Sequence, residues 1–512
     1  MTAPKIQKKL LLATIDLGAH SCRLLIAECN PRTLVSEVLD ELSVFVPLGS
    51  DVFRHGVISD SSIRMLCDIF RNFRMKLKEY GVKNCRAIAT SAVREAANAE
   101  ILIERIRHAT GFELKIFDGT DEARLNYLTV RNVLPRNFNF DKKSVLIADI
   151  GTGACQISAF EQGSFVFTET IKLGTLRVLD LLPGIVSADG MREYLTPIVD
   201  KTFNELRQIA PDMKSRCIIA MGTSVRTLLS LFRGNVSKNP GLVVVSRADY
   251  EARLAEARTL SFENLADQYQ ISPELAEMVI PCSIILDNLF RITNASKLLV
   301  PAVSTKQSVL QDFAGELLHH EDGFSRQIEE LVRRTAKKYR ADSDYTHRTA
   351  LIADKLFAQL QGLHGCDPRN ALLLRIAALL HKTGLFINNQ SYHVHSAYII
   401  QSTEIPGISP MERKITALIA RFHRKNPPHP QDPLLAELPP DARSTVMKLT
   451  AILRIACILS ELCRSANQFT LSVKPESVAV VPAMELRMSG FSLPEQDAAF
   501  FNQIFAVPVM VQ

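Results

Sequence analysis

Two aspartates stand at the same point of two similar stretches. Asp16 closes the apolar run in "TIDLGAHSCRLL", and Asp149 closes the one in "SVLIADIGTGACQISAF". They lie 133 residues apart (149 − 16), and at that offset Gly18 falls on Gly151 and Cys22 on Cys155. Each copy reads as an apolar strand, Asp-aliphatic-Gly, a small polar turn and a second apolar strand. Glycine lets backbone N–H groups approach phosphate oxygens, and a neighbouring carboxylate can hold a hydrated Mg2+. An isolated Asp-x-Gly turn can equally do no more than close a hairpin. The matched pair points further, to two related halves whose turns face one another and cradle the ends of a phosphate group or chain.

The elements around these turns alternate strand and helix. "KLLLATIDLG", "CRLLIAEC", "NCRAIATSA" and "ELKIFDG" read as strands, and "SDSSIRMLCDIFRNFRMKLKEYG" and "NAEILIERIRHATG" as amphipathic helices. Ser59 or Ser61 serves as the cap of the first helix, and Gly81 ends it. Residues 144–310 repeat the style with a hairpin-like "GSFVFTETIKLG" and the strand "SRCIIAMGTS". Such alternation indicates an α/β fold. From about 311 the pattern turns helical, and "QFTLSVKPESVAVVPAMELRMSG" returns to strand-like alternation behind the proline-rich loop "NPPHPQDPLLAELPP". The expected division is 1–133 and 134–310 for the two α/β domains, 311–465 for a helical domain and 466–512 for a small α+β module.

The bulk properties narrow the function classes. At 512 residues with 47% hydrophobic and 22% charged residues, the chain fits two to four packed domains. No apolar run approaches the roughly 20 residues that span a bilayer, so no integral membrane segment is expected. "KKLLLATIDLG" breaks at Asp16 without a cleavage site, and the ten cysteines stand singly. Both features suit a cytoplasmic protein with reduced thiols. The formal charge of +6 permits an anionic partner without demanding one. A nucleic acid is not expected, since no DNA-binding motif or aromatic-interleaved basic platform is present.

The paired turns, "ATSAVREAAN" (89–98), "FDGTDEARL" (117–125) and "KLGTLRVLD" (172–180) together resemble the exopolyphosphatase and guanosine pentaphosphate phosphohydrolase family. "LLRIAALLHKTGLFINNQSYHVHSAYIIQ" and "ARFHRK" are similar to the HD-like domain of its longer members, so the resemblance runs from about residue 10 to 460. It implies duplicated α/β domains of the actin and acetate/sugar kinase (ribonuclease H-like) type, then an α-helical HD-like domain and a small C-terminal α+β module. It further implies Mg2+-dependent release of orthophosphate from the ends of inorganic polyphosphate, or removal of the 5′-phosphate of guanosine pentaphosphate, by a homodimer. Glu122 matches the glutamate that activates or orients water, and Arg94 the arginine that grips the terminal phosphate with its fork of donors. The resemblance implies Asp149 as the third catalytic residue and Asp16 and Asp149 as the metal carboxylates. It likewise implies that Asp16, Gly18, His20, Ser21, Arg23, Gly151, Thr152 and Gly153 form the phosphate loops. Read without the resemblance, Glu122 is rather an exposed first-turn acid suited to its helix dipole, and Arg94 rather a solvated surface residue.

Several positions depart from the family pattern. Gln156 replaces a glutamate, and its amide is a poorer partner for Mg2+. Thr152, Ala154 and His20 replace a glycine, a serine and an asparagine in the loops. Val225 stands where glycine is usual, which puts a close backbone approach there in doubt, and "VPAVSTKQSVL" lacks the expected pattern near residue 304. These changes admit a reading of another class, a non-catalytic sensor of polyphosphate or guanosine polyphosphates. In the helical third, His347, His381, His393, His395 and His423 suggest a metal site. Lys382 takes the place of the HD aspartate, however, and a cation cannot ligate a metal. No second active site is expected there. "RRTAKKYR" (333–340), "MERK" (411–414) and "RFHRK" (421–425) supply charge that either extends a polyphosphate surface or is simply solvated.

Overall fold

The computed structural model describes residues 9–135, 138–182, 188–209, 215–232, 241–302, 305–318, 324–483 and 492–511. The chain divides into two compact units, Met1–Ser325 and Arg326–Gln512.

The first unit contains two sheets. One is built from β1 (Leu10–Leu17), β2 (Ser21–Cys29), β3 (Ser36–Phe45), β4 (Asn84–Ala89) and β5 (Leu114–Ile116), in the order β3-β2-β1-β4-β5. The other is built from β6 (Ser144–Ile150), β7 (Cys155–Glu161), β8 (Ser164–Ile171), β9 (Cys217–Met221), β10 (Leu242–Ser246) and β11 (Lys297–Pro301), in the order β10-β11-β9-β6-β7-β8. In each, the first two strands form an antiparallel hairpin, and the fourth runs parallel to the first. The 133-residue offset survives this far: Asp16 pairs with Ile88 and Asp149 with Met221. The repeat is therefore one topology used twice.

Burial explains the continuous apolar runs. Leu146, Ala148 and Ile150 of β6 lie in a core with Leu286 and Leu289 of the Val279–Thr293 helix. Ala13, Ile15 and Leu17 of β1 pack with Phe70 and Phe73 of the Asp60–Tyr80 helix. That helix has the expected ends: the Ser59 side chain accepts from the Ser62 N–H, and Gly81 is left-handed. Such a cap contributes about 1 kcal/mol. All ten cysteines are free, nine of them buried as small hydrophobes.

The helical domain does not begin at 311. The Thr305–Leu317 helix belongs to the first unit, where Leu310 and Ala314 pack on Leu12, Leu25 and Ala27 of the first sheet. Asp312 pairs there with both Arg86 and Arg124. These helical residues are claimed by a sheet far away in sequence, which a local pattern does not reveal.

The second unit packs the Asp344–Gln359, Arg369–Leu380, Pro410–Arg421 and Pro440–Leu462 helices around buried leucine, isoleucine and alanine. Its end is α+β as expected. β12 (Phe469–Lys474), β13 (Ser477–Pro482) and β14 (Val509–Val511) form a small sheet joined by the Glu495–Phe505 helix.

Candidate active site

The two hairpin turns adopt the same geometry. The Gly18 N–H donates to the Ser21 carbonyl at 3.0 Å, and the Gly151 N–H donates to the Ala154 carbonyl at 3.0 Å. Asp16 and Asp149 each sit one residue before the end of a strand. Directly opposite them on the antiparallel partners lie Arg23 and Gln156, again 133 residues apart. Both turns open on one cavity of about 250 Å³, which Asp16, Gly18, His20, Ser21 and Arg23 line from one lobe, and Asp149, Gly151, Thr152 and Gly153 from the other. Glu122 joins them.

The Gly119–Val133 helix delivers Glu122. It follows β5 but leans on the second sheet, where Tyr127 stacks on Phe160 of β7 with ring centroids 5.2 Å apart. Gly119 seats its first turn: a Cβ there would collide with the Thr170 hydroxyl of β8. Asp118 caps the helix, accepting from the Thr120 and Asp121 N–H groups at 2.8 Å each. Glu122 is thus fixed from both lobes. Its side chain is 18% exposed, and Arg94 Nη1 donates to its Oε1 at 2.8 Å. Burial pushes the Glu122 carboxyl up to about 7 against the pull of Arg94, and the charges of Asp149 and Asp16 push it the same way. A carboxyl of that pKa is suited to taking a proton near neutral pH.

Arg94 does not line the cavity. Its guanidinium donates to Glu122 and to the Phe117 carbonyl, so it stands behind the glutamate rather than in the phosphate space. Arg226 lies in that space. It sits on the Thr223–Leu229 helix, which β9 feeds through Gly222, and it lines the cavity with Thr223 and Ser224. Thr90 and Ser91 mirror these two at the end of β4. Burial and the charge of Arg23 hold the Arg226 guanidinium below its usual range, with Asp149 and Glu41 opposing. Neither Arg23 nor Arg226 has a carboxylate within 4.0 Å among the described residues. Two unpaired guanidiniums on one polar cavity favour an anion between them. Arg226 escaped the reading of the sequence, although "TSVR" (223–226) echoes "TSAVR" (90–94) closely enough to have marked it.

The departures take on definite places. His20 lines the cavity, and burial and Arg23 lower its pKa, which leaves a neutral ring at neutral pH. Thr152 and Ala154 also line it. Gln156 does not; it is 2% exposed, donates to the Thr168 hydroxyl and accepts from that of Thr170. The close backbone approach doubted at Val225 is made at Gly222, with φ of 113° and no room for a Cβ beside the Ile150 carbonyl. Val225 itself is buried in the core. Residues 303 and 304, within the atypical "VPAVSTKQSVL", lie outside the described residues.

Arg177 ties the lobes beside the cavity. Its Nε donates to the Gly153 carbonyl at 2.7 Å, its Nη2 to Glu95 at 2.6 Å, and its guanidinium covers the Phe53 ring. Among the described residues no group of three or more histidine, cysteine or acidic side chains is arranged to hold a metal. Two aspartates suffice for Mg2+, which keeps several waters and draws other ligands from a phosphate.

Two lobes of one topology, each giving an aspartate and a glycine turn to a common cavity, define a protein of the actin-like class built to handle phosphoryl groups. The model of the Ppx/GppA phosphatase family matches residues 26–314, and that of the Ppx/GppA phosphatase domain III matches residues 328–487. The guanosine-5′-triphosphate,3′-diphosphate pyrophosphatase of Vibrio cholerae O395 is 24% identical, over 92% of this chain and 93% of its own. That of Pseudoalteromonas translucida is 23% identical over 82% of each. Among solved structures, an exopolyphosphatase from Cytophaga hutchinsonii shares the fold with a TM-score of 0.52 at 21% identity, covering 60% of this chain and 98% of its own. A Ppx/GppA family member from Aquifex aeolicus does so with a TM-score of 0.51 at 18% identity, covering 61% and 99%. The chain belongs to the Ppx/GppA phosphatase family, whose members are phosphoanhydride hydrolases. No helix among the described residues is long and apolar enough to cross a membrane.

Proposed function

We propose that the protein releases orthophosphate from the ends of inorganic polyphosphate. The observation that carries the reading is Glu122, its pKa raised to about 7, facing the cavity between Asp16 and Asp149. A water oxygen attacks the terminal phosphorus, and its proton passes to Glu122. The bridging P–O bond breaks, and the shortened chain leaves with the electron pair. Arg23 and Arg226 hold the equatorial oxygens, where charge spreads in such a transition state. Arg94 is a positioning residue that orients Glu122 and moderates its pKa. Asp16 and Asp149 would hold Mg2+, which when bound neutralises phosphate charge. The retained Glu122, Asp16 and Asp149 favour turnover over a sensor that only binds, and Gln156 faces away from the cavity.

Guanosine pentaphosphate is the second reading, favoured by relatives of that activity matching most of the chain. A cavity of about 250 Å³ suits the reacting end of a chain better than a whole nucleotide, for which 300 to 1,000 Å³ is usual. Orthophosphate release from long-chain polyphosphate and from guanosine pentaphosphate, each with and without Mg2+ and beside Glu122→Gln, tests the proposal. A higher kcat/KM on polyphosphate that depends on Glu122 supports it. A preference for guanosine pentaphosphate turns the assignment to the second substrate, and release independent of Glu122 overturns the mechanism.

A further inference from the structure

The helical unit holds a second cavity, of about 460 Å³, that shares no residue with the first. Its wall carries Lys382, Arg424, Lys425 and Arg454 against Glu461 and Asp497. Arg454 and Asp497 answer each other, since Arg454 Nε donates to Asp497 Oδ1. Nη1 and Nη2 of this buried arginine donate to the Phe422 carbonyl at 2.8 Å and the Lys425 carbonyl at 2.9 Å. They pin the turn that ends the Pro410–Arg421 helix, in which Lys425 takes a left-handed φ of 58°. The turn presenting Arg424 and Lys425 is therefore fixed from below.

Apart from Arg454, the cations on this wall have no acidic partner among the described residues. Lys382 Nζ lies 3.7 Å from the centroid of the Tyr345 ring, and the Arg424 guanidinium 4.6 Å from that of Tyr392. Among the described residues no carboxylate comes within 4.0 Å of Lys382, Arg424 or Lys425. Three such cations outweigh the one remaining acid, Glu461. A metal has no place here, because the ammonium of Lys382 repels one. The imidazoles beneath are used in the fold: His423 Nδ1 faces the Ala420 carbonyl, and His423 Nε2 lies 3.3 Å from the Tyr392 hydroxyl. His381 Nδ1 likewise faces the Ala378 carbonyl. Of the five histidines singled out in the sequence, His423 lines this cavity, and the His381 ring packs against that of His423 with centroids 4.7 Å apart.

We infer that this cavity is a second, non-catalytic site for a small molecule carrying a pyrophosphoryl group. A guanidinium fork and two ammonium groups match phosphoryl oxygens, and the space admits a free pyrophosphate or a nucleoside diphosphate. The inference does not depend on which substrate the first cavity takes.

Calorimetric titration of the full chain in EDTA tests it, with inorganic pyrophosphate and GDP as separate probes. Binding should persist in Arg23→Gln/Arg226→Gln, which disables the first cavity, and should weaken at least about tenfold in Lys382→Gln/Arg424→Gln. If that second pair fails to fold, Lys425→Gln carries the test, because Lys425 is exposed; it should weaken binding by about threefold. Tighter binding of GDP would support a nucleotide as the occupant, and tighter binding of pyrophosphate a free phosphate. The inference is overturned if neither probe binds, if binding vanishes in Arg23→Gln/Arg226→Gln, or if the substitutions of the second cavity leave it unchanged.

Discussion

Exchanging Glu122 for glutamine removes a carboxylate that the fold holds against its own stability. Burial, then Asp149 and Asp16, push its pKa from 4.5 up to about 7 despite Arg94. Between these two values the folded protein keeps a proton that the unfolded chain releases. The stability linked to that proton is fully present below pH 4.5, declines as the pH rises through the window, and is lost above pH 7. One pH unit is worth about 1.4 kcal/mol, so the loss across the window is about 3 kcal/mol. Glutamine titrates nowhere in this range and escapes it. Relative to wild type, Glu122→Gln should gain about 3 kcal/mol between roughly pH 4 and pH 8 in metal-free buffer, while turnover falls about 10²- to 10⁴-fold. Hydrogen exchange of the Gly119–Val133 helix and of β6 reads the free energy of opening in this unit alone. Comparing the two proteins at each pH cancels the pH dependence of the exchange chemistry. A stability difference that stays constant with pH, or that turns against the variant at the higher pH, would refute the reasoning.

Three further substitutions probe the surroundings of Glu122. In Arg94→Gln the charge that lowers the Glu122 pKa is gone, so the acidic limb of the pH–rate profile should move upward from about 7, and activity at neutral pH should partly return on raising the pH; a limb that stays in place removes Arg94 as its partner. Arg226→Gln should cost about ten- to a hundredfold in kcat/KM through one lost charged hydrogen bond to phosphate, and steady-state kinetics showing less than a twofold change would exclude it from the phosphate site. Gln156→Glu should destabilise the protein by about 1–3 kcal/mol, because a buried carboxylate loses the amide's donation to Thr168. Its Mg2+ dependence should remain that of wild type, and a lower Mg2+ requirement would place this side chain at the metal after all.

What could be read from the sequence was what depends on local register. Asp16 and Asp149 stand out because a hairpin fixes the spacing between strand end, glycine turn and return strand, so a duplicated site repeats at one offset. The capped helix over Asp60–Tyr80 was equally visible from its own residues. The Thr305–Leu317 helix was legible as a helix but not as a cover for the first sheet, since its partners Leu12 and Leu25 lie almost three hundred residues earlier. Gln156 shows the opposite limit. It shares a strand face with Asp149 by register, yet whether it turns to the cavity or to Thr168 and Thr170 depends on β8.

The two arginines show how the repeat both reveals and conceals. Arg94 follows Thr90 by four residues, and Arg226 follows Thr223 by three. On a helix one residue turns a side chain by about 100°, so two otherwise matching segments aim their guanidiniums differently. Arg94 meets Glu122 behind the cavity, and Arg226 lines the cavity opposite Arg23. In the proposed mechanism the duplication splits two tasks between equivalent places: one copy tunes the base, and the other receives the charge of the phosphate. If that division holds, moving Arg94 cannot compensate for loss of Arg226. The double variant Arg94→Gln/Arg226→Gln should lose activity by about the product of the single losses, because the two arginines act on different atoms of the reaction. Losses well below that product, measured as kcat/KM at one pH, would mean that both arginines serve one task and that the split is wrong.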